Sequence, residues 1–114
     1  MKKSELMEKL TQDISRNAYR AYIQDHLKDI GYDASMMEYH ANTENGKAFE
    51  AMELLNLLTN SEKGDGIYRE AERDAAGTVK EIEDRFGRGS TAAIIALLDQ
   101  AGFDGKAYYA VNAE

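Results

Sequence analysis

Gly87-Arg-Gly-Ser-Thr91 is the one local pattern in this sequence that resembles a ligand site. Glycines let a loop approach a ligand closely. Free backbone N–H groups at a helix start, together with Arg88, Gly89, Ser90 and Thr91, could hold a phosphate or carboxylate. The pattern is not a nucleotide-hydrolase phosphate loop, because the Lys is missing and no strand precedes it. The missing strand also excludes a dinucleotide fingerprint. A plainer reading is a turn in which two glycines reverse the chain and Ser90 caps the helix that follows.

Other chemistry-bearing residues form weaker constellations. Ser61 to Glu72 has the length of a calcium loop, with Gly66 in the sixth place and Glu72 in the twelfth. Ser61 replaces the first acid, however, and Lys63 puts a cation where the third ligand belongs, so the stretch reads as a linker running into a helix. His26 and His40 each have carboxylates nearby in sequence, but one His with a carboxylate is not a metal site, and no metal is expected. Nucleophilic catalysis would need Cys, which is absent, or an activated Ser. Ser90 is the best-placed Ser, yet no elbow motif surrounds it. No catalytic residue and no cofactor is assigned, and the chain reads as a non-enzyme.

Recognition by tyrosine is the remaining hint. Seven Tyr stand against three Phe and no Trp, and Tyr combines a large apolar face with a polar tip suited to interfaces. Tyr19, Tyr22, Ile23, Tyr108 and Tyr109 are the candidate partner-binding residues. The competing reading places them at the edge of the core.

The elements that must position these residues are helices. Proline is absent, Val occurs only as Val79 and Val111, and no stretch alternates apolar and polar residues cleanly. A first helix opens at Ser4 and ends at Gly31. Its apolar face shifts partway: Leu6, Met7, Leu10, Ile14, Ala18 and Ala21 make one stripe, while Tyr19, Ile23, Leu27 and Ile30 make another, rotated by roughly 150°. Either the helix breaks near Ser15-Arg16-Asn17, or its halves pack on different things. A helix restarts at Ser35 with a capping-box spacing to Glu38 and is expected to break or kink at Asn42 to Gly46. Ala48 to Leu58 is nearly all apolar and is expected to be largely buried. Asn60 to Gly66 reads as a loop, Ile67 to Phe86 as an amphipathic helix, and Ser90 or Thr91 to Gly102 as an apolar helix. Gly77 falls on the polar face of its helix, where it costs roughly 1 kcal/mol relative to Ala. The tail from Phe103 is short helix or extended chain. Leu27-Lys-Asp-Ile-Gly-Tyr-Asp33 echoes Leu98-Asp-Gln-Ala-Gly-Phe-Asp104, two helix ends with Gly at C′ and an aromatic just beyond.

The expected fold is therefore all-α, a compact bundle of four to five helices with mostly antiparallel neighbours, forming a single helical domain over 1–114. Ala48–Leu58 and Ala92–Ala101 are placed at its centre, with the first helix and Ile67–Phe86 covering them. The absence of Cys fits a reducing, cytoplasmic setting, and the longest apolar run, Ala92 to Leu98, is far short of the ~20 residues of a membrane span. A net charge of −7 disfavours direct nucleic-acid binding and suits docking onto a basic protein surface. The leading functional expectation is a small acidic adaptor or inhibitor that occludes a basic surface on a larger protein, such as one that normally holds nucleic acid. Small accessory inhibitors of phages and mobile elements share this compositional character. A second expectation is a helical domain binding a small anion or nucleotide at Arg88–Thr91. A third is a self-associating structural protein, a homodimer joined through the Leu6/Leu10/Ile14 stripe.

Overall fold

A computed structural model describes residues 2–112. Five helices follow one another, α1 (Lys3–Asp29), α2 (Ala34–Thr59), α3 (Lys63–Phe86), α4 (Thr91–Gln100) and α5 (Gly105–Val111), and among the described residues there is no strand. The fold is an all-α helical bundle. Its long direction spans 47 Å, set by the first three helices.

The centre of the bundle is α1, not the two segments expected from composition. It packs against α2, α3 and α4 and runs unbroken for 27 residues through Ser15-Arg16-Asn17. It starts at Lys3, so Ser4 lies inside the first turn rather than capping it. The two apolar stripes serve two cores. In the first half, Leu10 and Ile14 meet Ala51 and Leu55 of α2, with Ile67 and Tyr68 of α3 packed against them. In the second half, Ile23 and Leu27 join Met37, Ala75 and Val79, and the buried face of α4, Ile94, Leu97, Leu98 and Ala101. Between them lies a contact made only of alanines, Ala18, Ala48 and Ala71, one from each long helix. Early α1 pairs with late α2 and with early α3, so α2 runs antiparallel to α1 and α3 runs alongside it.

Two further expectations are corrected. The helix α2 does not break at Asn42 to Gly46. Ala41 and Ala48 are buried on either side of that stretch, and packing against α1 outweighs weak local propensity. Nor is Ala48–Leu58 largely buried: Ala48, Ala51 and Leu55 face inward, while Phe49, Leu54 and Leu57 are exposed. The segment Ala92–Ala101 is likewise one-sided, with Ala93, Ile94, Leu97, Leu98 and Ala101 buried and Ala92 exposed.

The helix α3 begins at Lys63 rather than Ile67 because a neighbouring helix supplies its cap. The Asn56 Oδ1 accepts from the Gly64 N–H at 2.7 Å, and its Nδ2 donates to Asp65 Oδ1 at 2.7 Å. Helical backbone from Lys63 onward also leaves no loop there to wrap a calcium ion. The two echoed helix ends are both Schellman caps. The Tyr32 N–H donates to Leu27 O and the Phe103 N–H to Leu98 O, with Gly31 and Gly102 at positive φ.

Glycine replacements separate these roles. A Cβ at Gly77 would meet nothing within 4 Å, so Gly77→Ala should raise unfolding free energy by about 1 kcal/mol in urea titrations. At Gly102 the φ of +93° strains any residue with a Cβ, and that Cβ would also displace the Arg20 guanidinium, so Gly102→Ala should lower it by about 1–3 kcal/mol. Equal effects at the two positions would contradict this assignment.

Candidate functional site

The tyrosines proposed for a partner are half-buried and are engaged within the fold. Tyr19 lies between α3 and α4: its hydroxyl is 2.9 Å from Thr78 Oγ1 and donates to Gln100 Oε1 at 2.7 Å. One hydroxyl has one proton, so Thr78 donates to Tyr19. Tyr22 borders a small groove with Asn45, Tyr68 and Glu72. Ile23 is fully buried and fills the core, so it offers no surface to a partner.

Tyr108 and Tyr109 belong to an aromatic cluster that joins the two Schellman caps. Tyr32 stacks on Tyr109 with ring centres 5.9 Å apart, and Phe103 packs against Tyr108 at 4.8 Å. The Tyr108 hydroxyl donates to Asp33 Oδ2 at 2.5 Å, tying α5 to the α1–α2 turn. Burial, then this bond to a carboxylate, pushes the Tyr108 phenol well above its ordinary range. The shared caps thus place both ends of the echo side by side.

The loop Gly87–Thr91 is a hinge and cap. Gly87 and Gly89 both take positive φ, and the Ser90 Oγ accepts from the Ala93 N–H at 3.1 Å. The Thr91 hydroxyl is 3.0 Å from the Tyr109 hydroxyl. Arg88 is exposed and is the only cation the loop carries. Ser90 is occupied in capping, with no base placed to activate it. His26 bonds Glu83 at 2.7 Å across α1 and α3, and His40 lies edge-on to Phe103. Among the described residues no cluster of three or more His, Cys, Asp or Glu is arranged to hold a metal, and no helix is long and apolar enough to cross a membrane.

Two features emerge that sequence reasoning did not single out. The first is the outer face of α2. Exposed apolar side chains gather there: Leu57 is 79% exposed, Tyr39 62%, Met36 45%, Leu54 42% and Phe49 41%. At 100° per residue they share one face, and Tyr39 and Leu57 stand five turns apart, about 27 Å. Exposed Glu38, Glu50 and Glu53 lie along and beside this face. The run of apolar residues in 48–58 is the available signal, but apolar composition alone reads as a largely buried segment.

The second is a groove of about 480 Å³ between α1 and α2, lined by Lys9, Arg16, Asn17, Arg20, Glu44 and Lys47 among others. Burial raises the Glu44 carboxyl above its ordinary value, against the opposing influence of Arg20, Gln24, His40 and Lys47. Its Oε2 and the Oε1 of Gln24 are buried without a hydrogen-bond partner. On the other side of α1 a groove of about 590 Å³ is shared with α3, and Arg16 and Arg20 line that one too.

Comparison with known proteins finds no matching family model and no match among curated proteins or solved structures.

The raised Glu44 carboxyl sets a pH dependence. Between its unfolded and folded pKa values the unfolded chain is ionised while the folded protein keeps its proton. Stability therefore falls as pH rises through that window, and the penalty is complete above the folded value. Glu44→Gln should raise the Tm at pH 7, and the gain should vanish below about pH 4, where both states carry the proton. A melting-temperature difference independent of pH would contradict this origin.

Proposed function

We propose that this protein is a non-enzymatic interaction module that docks through the outer face of α2 onto a basic, partly apolar surface of a larger protein and occludes it. The observation that carries this reading is the concentration of exposed apolar side chains on a single helix. Among the described residues, the exposed large apolar side chains Met36, Tyr39, Phe49, Leu54 and Leu57 lie on α2, against Phe86 and Val111 elsewhere. Isolated exposed apolar side chains need no explanation, but several gathered on one helix face point to a contact surface.

Charge selects the kind of partner. Glu38, Glu50 and Glu53 frame the apolar residues, within a chain of net charge −7. A basic partner gains from these acids in both association rate and register. A second copy of this chain would bring the same glutamates against each other, so the face favours a different protein over a homodimer. The Leu6/Leu10/Ile14 stripe gives no alternative seam: Leu10 and Ile14 are buried, with Leu6 packed against their cluster.

The test is affinity capture from the cell that makes the protein, with parent and variants compared side by side. Leu57→Ser and Glu53→Lys alter exposed positions and should change unfolding free energy by less than about 0.5 kcal/mol. Each should weaken retention of a basic partner by tenfold or more, and the loss for the parent should steepen with salt. Retention unchanged by both substitutions would refute this docking face.

A further inference from the structure

We infer that the groove between α1 and α2 is a binding site for a small oxyanion, a carboxylate or a phosphate, at the edge of the docking face of α2, with which it shares Glu50 and Leu54. The inference goes beyond the interaction reading above and does not depend on it.

Three observations meet in this groove. The first is a concentration of positive charge in an acidic protein. Lys9, Arg16, Arg20 and Lys47 line it, four of the chain's 14 Lys and Arg residues. Lys9 and Arg16 are held by Asp13 at 3.0 and 2.9 Å. Arg20 and Lys47 form no ion pair among the described residues, so their charge is available to a ligand. The Arg20 guanidinium lies close to Gly102 at the end of α4.

The second observation is Asn17. It is 8% exposed, lines the groove, and its carboxamide has no hydrogen-bond partner among the described residues. Its polar atoms reach solvent in the groove, and it stands in the middle of a helix, where Asn is a poor choice. Ala at this position would pack equally well against its neighbours and favour the helix. A carboxamide N–H pointed at an oxyanion gives Asn17 a role that folding does not.

The third is Glu44, one of three acids in the lining with Asp13 and Glu50. Glu44 would repel an anion if it were ionised like a surface carboxylate. Burial raises its carboxyl above the ordinary value, so its repulsion of an anion weakens as pH falls. A volume of about 480 Å³ is within the range of small-molecule sites. The glycine loop before α4, by contrast, brings Arg88 alone, and its Ser90 is already committed to the helix cap.

The experiment is thermal melting and calorimetric titration of the full chain with inorganic phosphate and, separately, with citrate, each against chloride at equal ionic strength. The expected result is a Tm rise of about 4–6 °C at ten times the dissociation constant. The anion that gives the larger rise at equal concentration identifies phosphate or carboxylate as the recognised group. Asn17→Ala should leave the free protein as stable as the parent or more so, yet weaken the anion at least tenfold. Lys47→Gln, at an exposed position, should weaken it similarly with no change in the free protein. Arg88→Ala should bind as the parent does. No rise with either anion overturns the inference. So does a rise that survives Asn17→Ala or Lys47→Gln intact, or one that Arg88→Ala removes.

Discussion

The alanine contact among Ala18, Ala48 and Ala71 is the constraint on which the rest of the structure depends. Small side chains let three long helices approach closely at one level, and they leave room for larger side chains only above and below it. The result is two apolar cores stacked along one shared helix. Ile14 and Leu55 fill one, and Ile23, Leu27 and Leu97 fill the other. Dense interiors respond to added volume by shifting backbone or strain, so the waist fixes the spacing of both cores at once. The rotated stripe of α1 follows directly: below the waist the helix meets α2 and α3, and above it α4 arrives on a new side.

This arrangement decides which surfaces remain free. With neighbours along much of its length, α1 keeps open a strip that includes Lys9 and Arg16, beside α2. The helix α3 turns a mixed-charge face outward, where pairs such as Lys80 and Asp84 at 2.6 Å contribute little. The helix α2 packs on one side alone and is apolar on both. Its outward apolar face and the mixed-charge groove at its edge are therefore consequences of the same packing, and they meet at Glu50 and Leu54. One face is acidic and apolar, suited to a protein surface. The other sets Lys9, Arg16, Arg20 and Lys47 beside Asn17, Asp13, Glu44 and Glu50.

Much of this was legible from local chemistry. The glycine-aromatic echo at Gly31-Tyr32 and Gly102-Phe103 names two caps correctly because a Schellman motif is closed within six residues. Ser90 as a helix cap is local in the same way. What escaped depends on neighbours distant in sequence. The start of α3 was missed because the acceptor for Gly64 is Asn56 of the preceding helix, and a run of Lys, Gly and Asp without that partner reads as loop. Continuity of α2 through Asn42 to Gly46 depends on Ala41 and Ala48 resting on α1. Burial of Ala48–Leu58 was overestimated because apolar composition does not reveal whether a second neighbour exists. At the candidate anion site, Lys9, Arg16 and Arg20 could be placed on one face of α1 by their seven- and four-residue spacing. Lys47 and Glu44 arrive from α2, and only the antiparallel register of the two helices brings them to that face.

The central claim is that α1 is one continuous spine that makes two cores a single cooperative unit. Native-state amide hydrogen exchange along α1 tests it most directly. The account predicts that amides from Leu10 to Leu27 share one opening free energy, close to that of global unfolding, with no step at Ser15-Arg16-Asn17. Exchange before Asn17 at a much lower opening free energy than exchange after it would mean that the two cores open separately, and would contradict the account.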